Sequence, residues 1–148
     1  MNALVAAVFA AAAGWHVGAG PVHACPGVPA SRCVQVASWA ATVRWRDCGE
    51  CLPQKTIDAL QPDGVAIEVV LSVEHPPVAH RTIAWPPHIT SATLSGIEGI
   101  PNKIGVYQVF ARVGGGKEAY VWAFFGRGKP THAQIAKANA ELATVRLR

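Results

Sequence analysis

The stretch GVYQVFARVGGGKEAYVWAFFG, residues 105–126, decides how the rest of this chain must fold. Two apolar runs flank a glycine cluster, and alternate side chains of each run point to opposite faces. This pattern is typical of a β-hairpin. Because a two-stranded ribbon this apolar is not stable alone in water, further strands or a helix must pack on it.

The glycine loop also predicts a register for the hairpin. With Gly115-Gly116 as a two-residue type I′ loop, the pairs are Gly114 with Lys117, Val113 with Glu118, Ala111 with Tyr120, Val109 with Trp122 and Tyr107 with Phe124. The last three of these pairs form a strongly aromatic face that needs a cover. The other face combines Val106, Gln108, Phe110 and Arg112 with Phe125, Ala123, Val121 and Ala119. If it stays uncovered, that second face is an apolar patch where a partner would bind.

Three further elements are predicted from periodicity. Residues 65–74 form the clearest single strand, with Val65, Ile67, Val69, Leu71 and Val73 inward and Glu68, Ser72 and Glu74 outward. Alternation at residues 41–46 predicts a half-buried strand. Thr131 and Gln134 fit a capping box, and apolar residues then recur at helical spacing, which predicts a helix from His132 to about Thr144. We expect this helix to cover the aromatic face of the hairpin.

Together these elements predict an α+β protein, in which an antiparallel β-sheet carries a C-terminal helix packed on it. A signal peptide at residues 1–24 precedes a single exported domain at residues 25–148. Within that domain, residues 25–62 form an irregular segment that contains the cysteines. Residues 63–148 form the sheet and the C-terminal helix.

The composition fits one domain and argues against a nucleic-acid partner. The chain has 148 residues, which is enough for a substantial core. Its formal net charge is +4, from 13 Lys and Arg against 9 Asp and Glu, and only 15% of the residues are charged. The basic residues are scattered, whereas a nucleic-acid interface clusters them on one face. The charge therefore favours a role in solubility.

An apolar stretch at residues 3–15 has the length of a signal-peptide core and is short for a membrane span. Val22 and Ala24 are small residues at the positions that a signal peptidase prefers, so we expect cleavage before Cys25, with Val17-Gly18-Ala19 as a second possible site. Two alternatives stay open: an uncleaved N-terminal anchor, and lipidation of Cys25, because residues 22–25 resemble a lipobox. The protein is thus expected to be secreted or attached to the cell envelope, and to contact a membrane only through one of these anchors.

All four cysteines, Cys25, Cys33, Cys48 and Cys51, lie in the segment 25–62. An even number of cysteines in an exported chain predicts two disulfides. The short separations favour Cys25–Cys33 with Cys48–Cys51, and a crossed pairing that ties the loop to the strand stays open. In this interpretation the cysteines stabilise the fold.

The motif Cys48-Gly49-Glu50-Cys51 also supports a second function, thiol–disulfide exchange. The motif follows an apolar strand and precedes a possible helix, whose N-terminus would activate the Cys48 thiol. Asp47 would oppose that activation, and Pro53 and Pro62 leave little room for the long helix that such a motif opens.

Zinc binding is a third interpretation of the same cysteines. The pair Cys48 and Cys51 has the spacing of a zinc knuckle, and His75, His80 and His88 would add nitrogen ligands. The separation of Cys25 from Cys33 fits no common zinc ribbon. We therefore predict that the protein holds no metal and no cofactor.

Three stretches carry a resemblance to known sequences: PDGVAI at 62–67, WPP at 85–87, and VWAFFGRGKPTHAQIAKANAELATVRL at 121–147. Together they resemble a group of uncharacterised secreted or lipid-anchored proteins from high-GC bacteria. In that group a hairpin closes with a glycine, and the helix that follows ends in a short apolar tail. The resemblance implies this hairpin–helix ending, and it implies no activity and no catalytic residue.

The sequence thus predicts an exported, non-catalytic, β-rich domain, which is a binding or envelope-associated module stabilised by disulfides. The alternative is a thiol–disulfide oxidoreductase that uses Cys48 and Cys51. The partner would be an envelope protein or a ligand, whose chemistry the sequence does not identify.

Overall fold

The structure, a computed structural model, describes residues 7–76, 79, 81–95, 105–126 and 128–147. In chain order the strands are β1 (Ala7–Val8), β2 (His16–Ala19), β3 (His23–Ala24), β4 (Cys33–Ala41), β5 (Val65–Glu74), β6 (Leu94–Ser95), β7 (Val106–Gly114), β8 (Lys117–Phe125) and β9 (Arg146–Leu147). The helices are α1 (Gln54–Ala59) and α2 (His132–Leu142), and Ser91–Thr93 form a 3-10 turn.

One antiparallel sheet contains seven of the described strands, in the order β2-β4-β5-β8-β7-β6, with β3 paired to β4 beyond the end of β2. β5 and β8 lie in the middle of this sheet. A separate ribbon of β1 and β9 packs on one face, where the Ala7 carbonyl accepts a hydrogen bond from the Ser38 hydroxyl. The α+β class, with a C-terminal helix on an antiparallel sheet, is confirmed.

The strand predicted at residues 65–74 is confirmed as β5. Val65, Ile67, Val69 and Leu71 have no exposed surface, and they pack with residues of α2. α2 begins at His132, as predicted, and ends at Leu142, slightly before the predicted end.

The start of α2 is bonded to the sheet through Gln134. The Gln134 backbone N–H donates to Thr131 Oγ1 (3.2 Å), and the Thr131 N–H donates to Gln134 Oε1 (2.9 Å), which confirms the capping box. The amide nitrogen of Gln134 also donates to the carbonyls of Pro62, Gly64 and Gly126, at 3.0, 3.2 and 3.3 Å. These bonds join the helix to the chain beside β5 and β8.

The hairpin loop lies where the sequence predicts it, but the predicted register beyond the loop is wrong by one residue. Gly114 pairs with Lys117, and a β-bulge at Val113 then makes Arg112 the partner of Glu118. A bulge adds one residue to one strand, so each later pair differs from the predicted one. The observed pairs include Ala111–Ala119, Val109–Val121 and Tyr107–Ala123.

The bulge also overturns the predicted cover of the aromatic face. The face of the sheet that packs against α2, which we call the helix face, contains Tyr107, Val109, Ala111, Ala119, Val121, Ala123 and Phe125. Tyr120, Trp122 and Phe124 lie on the opposite face together with Phe110. We call this opposite side the open face. The helix therefore covers aliphatic side chains for the most part, and most of the aromatic rings lie away from it.

The cysteine-containing segment supplies one strand of the sheet. This strand, β4, ends at Ala41, where the strand predicted at residues 41–46 should begin, so that prediction is wrong. Ser38 interrupts the apolar alternation of β4, because a polar residue stands where the pattern requires an apolar one. Its hydroxyl is buried on the helix face, where it donates a hydrogen bond to the Ala7 carbonyl. After Ala41 the chain leaves the sheet and turns over the open face.

Residues 7–24 of the predicted signal peptide form β1, β2 and β3 in the uncleaved chain, and residues 1–6 lie outside the described part. β2 and β3 pair with the outer side of β4. Cleavage after Ala24 stays a prediction, and it would leave β4 at the edge of the sheet. In the part of the chain that is described, no helix combines the length and the apolar character needed to cross a bilayer.

Candidate functional site

A carboxyl group lies at the centre of the open face. Trp39 of β4, Glu68 of β5 and Trp122 of β8 are side by side across three adjacent strands. Glu68 points away from the helix face, as the alternation predicts, yet only 1% of its surface is exposed. Its burial is unexpected for a residue on the solvent side of a half-buried strand.

Residues after β4 cover one end of the open face. The packed set combines Val43, Trp45, Ile57 and Leu60 with Ala41, Ala66, Val106, Trp122 and Phe124. Trp45 stacks on Trp39, with ring centroids 5.4 Å apart and planes inclined by 14°. Asp47 fixes α1 in this cover, because its Oδ2 accepts hydrogen bonds from the backbone N–H (2.8 Å) and the hydroxyl (2.6 Å) of Thr56.

The structure pairs Cys25 with Cys33 and Cys48 with Cys51. This is one of the two arrangements that the sequence leaves open. Cys33 is only 2% exposed, whereas Cys48 and Cys51 are both exposed. Two disulfides are consistent with an oxidising, extracytoplasmic environment.

The loop closed by Cys48 and Cys51 lies directly on the open face. Gly49 is so close to the sheet that a Cβ atom there would lie 2.7 Å from the Ala37 Cβ, so a larger residue would displace the loop. Glu50 has a φ of 71°, in the left-handed region, and its backbone N–H donates to Glu68 Oε1 at 2.5 Å. The disulfide loop thus brings a backbone donor onto the buried carboxyl group.

Glu68 keeps one unsatisfied oxygen. Its Oε2 is buried and has no hydrogen-bond partner among the described residues. Burial raises the pKa of Glu68 to about 7, the Glu50 N–H lowers it, and the charges of Glu50 and Asp47 raise it further. A carboxyl group with this pKa is partly protonated near neutral pH, so it can accept or donate a hydrogen bond.

Two side chains hold the carboxylate of Glu50. Its Oε1 is 2.6 Å from His23 Nε2, and its Oε2 accepts a hydrogen bond from Gln35 Nε2 at 2.8 Å. His23 Nδ1 lies 2.7 Å from the Ala24 carbonyl oxygen. The Ala24 carbonyl and then the Glu50 carboxylate raise the pKa of His23, because both favour a doubly protonated ring. The protonated His23 forms an ion pair with Glu50.

A pocket of about 370 Å³ opens on the open face. We call it the Glu68 pocket, and its lining residues are Pro26, Gln35, Glu50, Glu68, Val70, Tyr120 and Trp122. The rings of Tyr120 and Trp122 are inclined by 85°, with centroids 5.2 Å apart, so they form a corner rather than a flat platform. The Tyr120 hydroxyl accepts a hydrogen bond from the Gln108 amide at 2.7 Å, which restrains its ring.

The cysteine motif does not stand at the start of a helix. α1 begins at Gln54, after Leu52 and Pro53, and has only six residues. Its N-cap residue, Pro53, makes no side-chain capping bond. The geometry that would activate Cys48 through a helix N-terminus is therefore missing from this described segment.

The structure brings no zinc ligands together in its described part. Among those residues, no group of three or more His, Cys, Asp or Glu side chains is arranged to hold a metal ion. The four cysteines are all in disulfides, and His80 lies outside the described residues.

Sequence reasoning misses the contact between Glu50 and Glu68. Two signals for it are present in the chain. Glu68 is the one charged residue within the apolar run at 65–71, and Glu50 is enclosed by two cysteines whose disulfide fixes its backbone. The pattern of the Cys48–Cys51 motif suggests chemistry at its two thiols, whereas in the structure it is Glu50 of this motif that lines the pocket.

Comparison with protein-family models, with curated proteins and with solved structures finds no match to this chain.

Proposed function

We propose that this protein is an exported, disulfide-stabilised binding module that holds its ligand in the Glu68 pocket. The apolar stretch at residues 3–15, the two disulfides and the resemblance to secreted proteins support export. Processing after Ala24 would remove His23 from Glu50 and would create a new α-amino group at Cys25, next to Pro26 of the pocket lining.

The observation that carries the proposal is the unsatisfied oxygen of Glu68, a residue that lines the same pocket as the rings of Tyr120 and Trp122. Buried polar groups are usually hydrogen-bonded, because leaving one unpaired costs about 1–3 kcal/mol. A ligand that supplies the missing partner would offset this cost. A concave and largely apolar surface with a few convergent polar groups is the usual form of a small-molecule site.

The state of Glu50 favours binding over catalysis. A mechanism that uses two carboxyl groups needs one acid and a second carboxylate that is available for reaction. Glu50 Oε2 is already bonded to Gln35, which processing after Ala24 would retain, and in the uncleaved chain Oε1 is also bonded to His23. Thiol exchange needs an activated thiolate, and α1 does not provide the activating helix end at Cys48.

Titration of the full chain with three classes of small molecule tests the proposal. The probes are n-butylammonium, N-acetylglucosamine and butyrate, and the readouts are the tryptophan indole N–H signals in NMR spectra and the melting temperature. We expect at least one class to shift the Trp122 signal and to raise the melting temperature, since a ligand of the folded state stabilises it.

Two variants show whether the pocket is responsible. Tyr120→Ala removes one wall of the pocket and should abolish the response. Phe110→Ala removes a ring of the same face that is 39% exposed and does not line the pocket, and it should keep the response. If none of the three classes changes either readout, or if Tyr120→Ala responds like the parent, the proposed binding function is wrong.

A further inference from the structure

We infer that the Glu68 pocket binds a protonated alkylamine, whose ammonium group donates a hydrogen bond to Glu68 Oε2 in the corner formed by Tyr120 and Trp122. This inference rests on the proposed function and names the ligand class of the same pocket.

The charges around the pocket favour a cation. Its lining includes two glutamates, and no Lys or Arg is among the described residues that form it. Asp47 adds a further negative charge that acts on Glu68. His23 is bonded to Glu50 and does not line the pocket. Electrostatic complementarity therefore selects a ligand with a positive charge and rejects an anion.

Hydrogen bonding restricts the cation to one that carries N–H groups. Glu68 Oε1 already accepts from the Glu50 backbone, and Oε2 awaits a donor. A quaternary ammonium group would leave this oxygen unpaired, whereas an alkylammonium group would pair it through a charge-assisted bond. The bond favours ionised Glu68, so a carboxyl group that is protonated in the free protein releases its proton to solvent when the amine binds.

The arrangement of the rings favours an ammonium group over a sugar. A sugar places one flat side of its ring on an aromatic face, for which two perpendicular rings offer little room. A compact cation fits where two rings meet, and it is attracted to aromatic faces within about 6 Å of the ring centroid. The corner of Tyr120 and Trp122 has this shape.

The size of the pocket suits an aminoalkyl chain. A volume of about 370 Å³ is near the lower end of small-molecule sites. Val70 and Pro26 complete the lining and offer apolar contacts to methylene groups. The same chemistry is presented by a free alkylamine and by the lysine side chain of a peptide, and the experiment separates these two sources.

Isothermal titration calorimetry of the full chain near neutral pH would use four probes: n-butylammonium, Nα-acetyl-lysine methylamide, the neutral analogue n-butanol, and N-acetylglucosamine. We expect an amine to bind and n-butanol to bind at least about ten-fold more weakly, because it lacks the charge-assisted hydrogen bond. Binding of n-butylammonium alone identifies a free amine as the ligand. Tighter binding of the lysine derivative identifies a lysine side chain, and either result supports the inference.

A matched pair of variants tests the role of Glu68. Glu68→Gln keeps the size of the side chain and removes its charge, and we expect it to weaken amine binding by about ten-fold or more. Glu74→Gln removes the same charge from the same face of β5, but outside the pocket. We expect the affinity of this control to stay within about two-fold of the parent. This change in binding free energy is smaller than the usual contribution of one hydrogen bond.

A second measurement on the unaltered protein does not depend on how Glu68→Gln folds. Titrations in buffers of different ionisation enthalpy should show that protons are released when the amine binds. Glu50 and Asp47 are the charged groups that act on Glu68, whereas His23 is bonded to Glu50. The released proton comes from Glu68, so a His23→Ala variant should still release protons when the amine binds.

The outcomes separate the inference from the proposed function. Amine binding that is unchanged in Glu68→Gln, or that releases no proton from the unaltered protein, overturns the inference. Binding of N-acetylglucosamine without binding of either amine also overturns it, and the proposed function then stands. If no probe binds, and butyrate fails as well, both are overturned.

Discussion

On one side of β5, Val65, Ile67, Val69 and Leu71 have no exposed surface and meet the C-terminal helix. On the other side, the intervening residues are Ala66, Glu68, Val70 and Ser72, and they meet a disulfide loop, a pocket and aromatic rings. The same strand thus contributes to a closed aliphatic layer and to a partly open surface with a buried carboxyl group.

The two sides of β5 differ in what they contribute to stability and to recognition. A close-packed layer resists the loss of even one methylene group, because a cavity remains. A buried ionisable group with an unpaired oxygen opposes folding unless a partner satisfies it. We therefore expect the helix face to supply most of the stability and the open face to supply ligand binding.

Adjacent residues of β5 give the largest expected contrast. Leu71→Ala should lower the free energy of unfolding by about 2–5 kcal/mol, because it leaves a cavity on the helix face. Val70→Ala, on a half-buried side chain of the pocket, should cost less than about 1 kcal/mol. Urea unfolding followed by circular dichroism measures both values. Equal losses would mean that the two faces are packed alike.

The open face should also govern how stability changes with pH. Burial raises the pKa of Glu68 from 4.5 to about 7, so the folded protein keeps a proton that the unfolded chain releases. Its contribution is therefore fully present below a pH of about 4.5 and is lost as the pH rises toward 7, by at most about 3 kcal/mol. Glu68→Gln should make this part of the profile shallower.

Urea midpoints across this pH range check the Glu68 prediction. The pKa values of His23 and Glu141 are also raised, so they add slopes of the same sign, and the Glu68→Gln profile should not become flat. Leu71→Ala is the control from the helix face, because it should lower the whole profile and leave its slope unchanged. A Glu68→Gln slope equal to that of the parent would contradict the role assigned to this carboxyl group.

A smaller effect on stability than that of Leu71→Ala is expected for the disulfide beside the pocket. Replacing both Cys48 and Cys51 by Ser should cost less than about 2 kcal/mol, because this bond closes a very short loop. Since both of these cysteines are exposed and Cys33 is buried, mild reductant should open Cys48–Cys51 before Cys25–Cys33. Peptide mapping by mass spectrometry, with and without reduction, follows the two bonds separately.

The same double variant distinguishes a supporting disulfide from a catalytic one. It should weaken ligand binding, because the loop that holds Glu50 over the pocket loses its constraint. The Cys25→Ser, Cys33→Ser variant is the control for losing a disulfide. If Cys48–Cys51 exchanged rapidly with glutathione and oxidised a reduced substrate protein with turnover, the oxidoreductase alternative would replace the binding module.

Strand β5 and the C-terminal helix could be predicted from the sequence, because their signals are local. Alternation over ten residues predicts β5, and a capping box followed by helical spacing predicts the start of α2. In both cases the residues that reveal the element are neighbours in the chain. Their pattern is therefore complete before any tertiary contact is known.

The open face could not be predicted in this way, because it depends on distant contacts. Glu68 is an ordinary outward residue of an alternating strand until a loop 18 positions away is placed over it. The local pattern places the aromatic rings of β8 under the helix, because it does not reveal the bulge at Val113. Register and loop placement are properties of the whole sheet, and they decide which side chains share the pocket.

The bulge at Val113 gives the hairpin an uneven tolerance to changes in length. Since Arg112 pairs with Glu118 and Gly114 with Lys117, Val113 is one residue more than a regular ladder requires. A chain without Val113 would keep each remaining pair and each face as they are. One residue added deeper in β7 would instead exchange the two faces of everything beyond it. The hairpin should therefore tolerate the deletion of one residue at the bulge, but not the insertion of one residue elsewhere in β7.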